Sequence, residues 1–298
     1  MAQEFVNTGT QLGNREDIRD FIADVNYKKT PLLKVCGKTD ATAITHEWME
    51  DTLRAGATNA KAEGFTPTFA ASDNQIRIRR SNYCQILAQP ISASRTQNIV
   101  NKVGLGRKSE YDHQLEKATI ALSLDINYNL WNSTSTARDA DAGTAGKMSG
   151  YFDVDDISTT ALTTAVVISD DIYNRAIQEM VDRGVDVDLT FCNGFNKRQI
   201  SGWMTANRRY SDGKKITDVV NEYESDWGMQ TIMYDKDVPQ SAIAITQRDQ
   251  LKVAMLDPFK HTRLGVTGDA ERGFVLSELT FEYGARKAIG SITNLLYA

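Results

Sequence analysis

The hydrophobic period switches along the chain, and the switches divide it into predicted elements. From Asp40 to about Ser94 the texture is strand-like. Ile44, His46 and Trp48 point one way and Thr45, Glu47 and Met49 the other, the period-2 alternation of a half-buried strand. A polar stretch rich in Ala and Gly follows from Ala55 to Asn74, after which Ile76 and Ile78 alternate with Arg77 and Arg79. The outgoing strand ends in Glu47, Glu50 and Asp51, and the returning one carries Arg77, Arg79 and Arg80. Opposite charges on paired strands, or on strands of adjacent subunits, fix register at about 0.2–1 kcal/mol per pair. Such a hairpin buries little by itself and is marginal alone in water. It needs a partner.

From about Arg107 to Trp131 the period becomes helical, with Tyr111, Leu115, Ala118, Leu122 and Ile126 in one stripe at steps of four and three. Roughly 25 residues at ~1.5 Å each make a rod of ~37 Å. One apolar stripe places that rod across a surface rather than inside a bundle. Residues 133–150, rich in Ser, Thr, Ala, Gly and Asp, read as a linker.

A compact α/β block is predicted next. Ser169 is a candidate N-cap with Asp170 and Asp171 in the first turn; Ile172, Tyr173, Ala176, Ile177 and Met180 form the buried stripe, and Gly184 suits the C′ position. Asp188–Cys192 reads as a short strand, and Asn193-Gly194 as a turn into a helix through Ile200 and Trp203. Strands near Thr231–Tyr234 and Ala242–Thr246 complete a sheet. After Asp257-Pro258 the alternation resumes through Phe274–Tyr283 and Ala288–Leu296, and both strands are expected beside the long helix. Residues 1–36 mix short polar and apolar pieces, with Thr30-Pro31 biased to extended geometry, and read as an arm. No internal repeat is present. The fold class is α+β.

A chain of 298 residues suggests about two lobes. Its net charge of −5 speaks against tight nucleic-acid binding, which uses a basic stripe to displace counterions from phosphate. Cys36, Cys84 and Cys192 are far apart with no C-x-x-C, so free thiols in a reducing compartment are expected. Met1 to Gln11 is polar and no run approaches the ~18 apolar residues of a membrane span, so neither a secretory leader nor a span is expected.

The candidate chemistry fails on spacing. His46-Glu47 lacks a second histidine, because position 50 is Glu50. His113 falls at the start of the long helix and His261 is expected in a loop, neither with metal-ligand spacing. Gly37-Lys38-Thr39 has Leu32 where a phosphate loop requires its first glycine, and Gly104-Leu105-Gly106 has Ser109 at the third glycine position. The aspartates at 153, 155 and 156, and at 182, 186 and 188, lack the glycine and terminal glutamate of a calcium loop. There is no Gly-x-Ser-x-Gly elbow. No catalytic, cofactor or metal residue is expected, and the chain does not read as an enzyme.

An ordered series of phrases does carry a resemblance. It runs through Thr30-Pro31-Leu32-Leu33, Gly37 to Thr42, Thr45-His46-Glu47-Trp48 with Glu50-Asp51-Thr52-Leu53, and the long helix. It continues through Tyr223 to Gly228, Pro239, Leu256-Asp257-Pro258, Thr267-Gly268-Asp269, Glu278 and Gly290-Ser291-Ile292. The series resembles the major capsid proteins of tailed double-stranded DNA bacteriophages, with the Hong Kong phage-type capsid fold, near a group long known only as a family of unknown function. Trp227 departs from the smaller aromatic usual in its phrase. There is also no evident scaffold-like N-terminal extension, so the resemblance implies that scaffolding, if used, comes from a separate protein.

The resemblance implies an N-terminal arm over residues 1–36 and an extended β-hairpin loop over 37–94 that lies on the next subunit. It further implies a peripheral domain with a spine helix over 95–135 and 262–298, and an axial domain over 136–261. Trp48, Glu47, Glu50, Arg77, Arg79 and Arg80 become the expected subunit contacts. The implied partners are further copies in pentamers and hexamers, a portal, scaffold and decoration proteins, and weakly held packaged DNA. The implied location is the virion, assembled in the bacterial cytoplasm. An encapsulin-like storage compartment shares the fold class and is the nearest alternative; a cytosolic α/β enzyme is the other.

Overall fold

The structure, a computed structural model, describes residues 29–53, 56–67, 76–100, 109–139, 141–154, 158–206, 222–265 and 268–297. The first half contains α1 (Pro31–Val35), β1 (Gly37–Asp40), β2 (Thr45–Glu50), β3 (Ile78–Tyr83), β4 (Gln85–Ser94), α2 (Arg95–Ile99) and α3 (Glu110–Asn132). The second contains β5 (Ser158–Val166), α4 (Asp170–Asp182), β6 (Leu189–Cys192), α5 (Gly194–Ala206), β7 (Glu222–Ser225) and β8 (Gly228–Tyr234). It ends in β9 (Ile243–Thr246), β10 (Leu251–Arg263), β11 (Ala270–Tyr283) and β12 (Ile289–Leu295). They build a four-stranded sheet ordered β1-β10-β11-β4, a six-stranded sheet ordered β5-β12-β9-β6-β8-β7, and the separate hairpin β2-β3.

The helix α3 starts where Ser109 accepts a hydrogen bond from the Asp112 amide at 3.1 Å, with Glu110 and Asp112 at the positive end of the helix dipole. Its 23 residues span about 35 Å at ~1.5 Å each. The stripe Tyr111, Ala118, Leu122, Ile126 and Leu130 is buried, and the helix lies along β4 of the four-stranded sheet. At its start the Tyr111 hydroxyl meets His261 Nε2 at 2.8 Å, while the Arg263 guanidinium stacks over the Tyr111 ring.

At its other end the helix is fastened to the six-stranded sheet. Trp131 is fully buried against Tyr151, Phe152 and Phe191, and its indole N–H donates to Asp235 Oδ2 at 2.9 Å. The Asn127 amide donates to both Asp235 oxygens and to Asp237 Oδ2 at 2.7–3.2 Å. The Asp237 amide donates to Asp235 Oδ1 at 3.0 Å. Burial, and then the nearby Asp235 charge, push the Asp237 carboxyl above its ordinary range, while its bond from Asn127 opposes them. One core cluster runs continuously from Val253, Leu279 and Phe281 to Leu189, Phe191 and Ile289, so the two sheets share a core beneath this end of α3.

The six-stranded sheet is covered by α4, whose Ser169 cap accepts from the Ile172 amide at 3.4 Å. The helix ends in a Schellman turn: the Val185 amide donates to Met180 O and the Gly184 amide to Val181 O, with Gly184 at φ +85°. Tyr173, Ala176, Ile177 and Met180 pack beneath it as the stripe required. Asn193 Oδ1 accepts from the Asn196 amide at 2.9 Å and starts α5.

Several expectations are corrected. Residues 133–150 are not a linker. Bridges at Thr136–Lys147 and Asp139–Thr144 close them into a ribbon, Met148 is fully buried, and Arg138 pairs with Glu278 at 2.5 Å. Small polar residues signal the lack of a regular element, but they do not forbid bridged backbone. Alternation in 288–296 is right as a strand and misplaced as to sheet: β12 lies between β5 and β9, with Ile289 in the core shared by the two sheets and Ile292 in the separate core beneath α4. The hairpin block 37–94 is too wide, since β1 pairs with β10 and β4 with β11. Likewise β10, from Leu251, belongs to the four-stranded sheet, and His261 is on that strand rather than in a loop. Pro31 opens a short helix with Leu32 fully buried, so the end of the expected arm over residues 1–36 packs into the core through Leu32 and Cys36. The arm reading of residues 1–28 and the Gly104–Gly106 hinge lie outside the described residues.

Two substitutions test this junction by urea unfolding of the unassembled chain. Asp235→Ala orphans the Trp131 and Asn127 donors in a dry site and is expected to cost about 3 kcal/mol or more. Gly150 has ordinary dihedrals, but a Cβ there would sit 2.9 Å from Asn129 O and from Ser133 N. Gly150→Ala is expected to cost about 1–3 kcal/mol through overpacking at the end of α3. An unchanged midpoint for either variant would contradict this packing.

Candidate assembly interface

The hairpin β2–β3 is antiparallel with Thr45 opposite Tyr83, Trp48 opposite Arg80 and Glu50 opposite Ile78. Strand alternation sends His46, Trp48, Glu50, Arg80 and Asn82 toward the body of the chain and Glu47, Met49 and Arg79 to solvent. The root is fastened to the end of β11. The Trp48 indole N–H donates to Gly284 O at 3.0 Å, and its ring meets Tyr283 edge-on at 4.9 Å. His46 Nε2 lies 3.0 Å from Glu282 Oε2, whose second oxygen takes Lys252 at 3.3 Å. Buried Asn82 donates to Phe281 O and Ser149 O and accepts from the Ser149 and Tyr83 amides at 2.8–3.1 Å.

The charged residues expected at the interface divide into two groups. Arg80 and Glu50 form a 2.6 Å pair within the chain, with side chains 17% and 4% exposed. Trp48 is likewise engaged by its own chain. Arg79–Glu47 and Arg77–Asp51, both at 3.4 Å, are solvent-facing, with the arginines 68% and 73% exposed. Arg79–Glu47 is diagonal across the hairpin, since Arg79 lies opposite Met49, whereas Asp51 and Arg77 lie opposite each other one step beyond the Glu50–Ile78 pair. Toward the tip, Met49, Leu53, Phe65 and Ile76 are exposed. Asn82 was missed by sequence reasoning, although its parity with Arg80 two residues earlier marks it as inward-facing.

None of this geometry suggests chemistry. Burial pushes the thiols of Cys36 and Cys192 up to about 12 and that of Cys84 up to about 11, so none is a ready nucleophile. Among the described residues no group of three or more His, Cys, Asp or Glu side chains is placed to hold a metal ion. A groove of about 280 Å³ between β4 and α3, lined by Gln89, Ser92, Gln114 and Lys117 among others, is open and carries no acid–base pair.

The fold recurs in solved structures. The chain is similar to the capsid protein of a native GTA particle, at TM-score 0.68 and 11% identity over 97% of this chain and 98% of the other. It is similar to a chain of the cyanophage A-1(L) capsid, at TM-score 0.66 and 12% identity over 97% and 98%. The SrpI encapsulin of Synechococcus elongatus is similar at TM-score 0.59 and 9% identity over 96% and 94%. These likenesses establish the Hong Kong phage-type capsid fold. No curated protein sequence matches the chain. The profile of the SU10 major capsid protein matches residues 5–296, and the chain therefore belongs to the SU10 major capsid protein family, as a structural protein rather than an enzyme.

Proposed function

We propose that copies of this chain assemble as pentamers and hexamers into an icosahedral shell that encloses packaged double-stranded DNA. The hairpin is the observation that carries the reading. Its root is held by Trp48, His46 and Asn82, yet Leu53 is 98% exposed, Ile76 82% and Met49 65%. A firmly rooted element with an unburied apolar end is built to cover something outside its own chain. A neighbouring subunit is the occupant that family membership supports, with Arg77, Arg79 and Glu47 at the contact. Trp48, Glu50 and Arg80 then act indirectly, by holding the hairpin at its angle.

Many such contacts, each modest, become strong together because the closed geometry makes them mutually dependent. A net charge of −5 suits a wall that does not adhere to the nucleic acid it contains. A portal, scaffold and decoration proteins would complete the particle, assembled in the bacterial cytoplasm. The storage-compartment alternative rests on shared fold alone, whereas the family match is to a phage capsid protein.

Electron microscopy of the chain, expressed alone and with its neighbouring genes, is expected to show shells or rings of subunits. Absorbance should reveal nucleic acid in particles made with the packaging genes, and enclosed enzyme without a genome would favour the storage reading. A monodisperse monomer or dimer under every condition would overturn the proposal. The double substitution Arg77→Glu and Arg79→Glu is expected to abolish or sharply reduce shell yield. Both pairs are exposed, so chain stability should change by less than about 1 kcal/mol. Normal shells from that variant would remove the hairpin charges from the interface.

A further inference from the structure

The hairpin joins the body of the chain at a neck of two crossings. One is the segment between β1 and β2, where Thr42, Ala43 and Ile44 are exposed. The other is Cys84 alone, the single residue between β3 and β4, and it is fully buried. Because β3 pairs with β2 and β4 pairs with β11, the chain passes from one sheet to another at Cys84. The direction of the hairpin therefore depends on what holds this residue. Its amide donates to Ile44 O at 2.8 Å and its thiol to Ala43 O at 3.4 Å, so the two crossings are tied to each other. Neither bond ties them to the body. That leaves the Cys84 carbonyl, which accepts from the Arg138 guanidinium at 3.2 Å.

Arg138 belongs to the 133–150 ribbon. The nitrogen that reaches Cys84 O also pairs with Glu278 of β11 at 2.5 Å, the two side chains being 24% and 15% exposed. The neighbours of Cys84 meet the ribbon as well. Asn82 exchanges hydrogen bonds with the Ser149 backbone, and Gln85 Oε1 accepts from the Met148 amide at 3.3 Å. Gln85 Nε2 donates to Asn129 Oδ1 of α3 at 3.1 Å. The ribbon is itself fixed, closed by the Thr136–Lys147 bridge and pinned through fully buried Met148. By contrast, Trp48 and His46 bind within residues 282–284, a single short stretch of backbone. A row of contacts along one strand end still permits rocking about that row, and a support away from the row prevents it.

We propose that the ribbon is a strut that fixes the angle of the hairpin, and that Arg138 is the positioning residue through which it acts. The consequence for assembly rests on the shell reading above. From Thr45 to Glu50, β2 is a lever of about 17 Å at ~3.3 Å per residue. A tilt of about 10° at the neck displaces its far end by about 3 Å, whereas a gap of ~1 Å already forfeits much of a packing contact. The apolar end beyond Glu50 meets a neighbour only when that tilt is held. A guanidinium suits the task because its planar fork presents several donors at fixed angles. One side chain thereby holds a carbonyl of the neck and a carboxylate of the sheet together.

The angle is measurable without assembly. Nitroxide labels at Met49→Cys on the hairpin and Ser92→Cys on β4 report their separation by pulsed electron resonance. Diluting the labelled chain into unlabelled chain restricts the reading to one copy, and the three native thiols are buried. The parent is expected to show one narrow distance. Arg138→Met alone leaves Glu278 unpaired, so it is combined with Glu278→Met, a replacement that such pairs commonly tolerate. This double variant is expected to keep the parent's circular dichroism while its label distance broadens or shifts. It is also expected to lose shell yield several-fold or to form shells of mixed diameter. A parental distance distribution in the folded double variant would overturn the strut. A loosened hairpin that still yields uniform shells in parental amounts would overturn its role in assembly. Where the double variant does not fold, hydrogen exchange of the unmodified chain over a denaturant series decides. The Cys84 amide and the Thr136, Lys147 and Ser149 amides are expected to lose protection in one opening step. Ribbon amides that open at lower denaturant while Cys84 stays protected would overturn the strut. If the unmodified chain forms no shells, the shell reading fails and the assembly role falls with it, while the label distances still decide the strut.

Discussion

The fold depends on how a buried carboxylate is satisfied. Asp235 is fully buried at the end of β8 and is held by the Trp131 indole, the Asn127 amide and the Asp237 backbone N–H. Removing a carboxylate from water is tolerable only when such donors replace the water. Two of these three donors come from α3, so the helix cannot leave the six-stranded sheet without orphaning charge in a dry site. The same helix lies on the four-stranded sheet through its apolar stripe. Both sheets are thereby referred to one rod, and the core beneath it is continuous.

That rigid junction explains the contrast with the hairpin. Tyr151, packed on Trp131, donates to Ile245 O and Gly290 O of the six-stranded sheet at 3.0 and 2.8 Å. Asn82 ties the hairpin root to Phe281 O and to the ribbon at Ser149. Asp235, Asn127, Trp131, Tyr151 and Asn82 have their partners, whereas apolar side chains near the hairpin tip are exposed. The junction is closely hydrogen-bonded, while Met49, Leu53, Phe65 and Ile76 leave the hairpin with an exposed apolar end. A chain arranged in this way reserves its periphery for other molecules, which fits membership of a capsid family.

Much of this was legible locally. The Tyr111–Ile126 stripe, the Ser169 cap, the Gly184 turn and the alternation at His46 and Trp48 depend on side-chain size and dihedral preference within a few residues. Long-range partnership was not legible in that way. Asp235 and Asp237 had no visible destination, because their donors are about a hundred positions earlier. The sheet assignment of 288–296 failed for a related reason: alternation shows that a strand has a buried face but does not identify its neighbour. The 133–150 ribbon was missed because its order comes from bridges and one buried methionine, not from periodicity.

By itself, the sequence determined the elements, the absence of a catalytic constellation from its motifs, and a family resemblance carried by short phrases in order. Those features follow from local chemistry and from spacing, which are written along the chain. Only the tertiary structure decided which strands share a sheet and which of the hairpin charges remain outward. It also showed that Trp48, Glu50 and Arg80 are engaged within their own chain, while Glu47, Arg77 and Arg79 face solvent. Burial and pairing belong to the packed molecule: identical arginines at 79 and 80 receive opposite environments because a strand turns successive side chains to opposite faces.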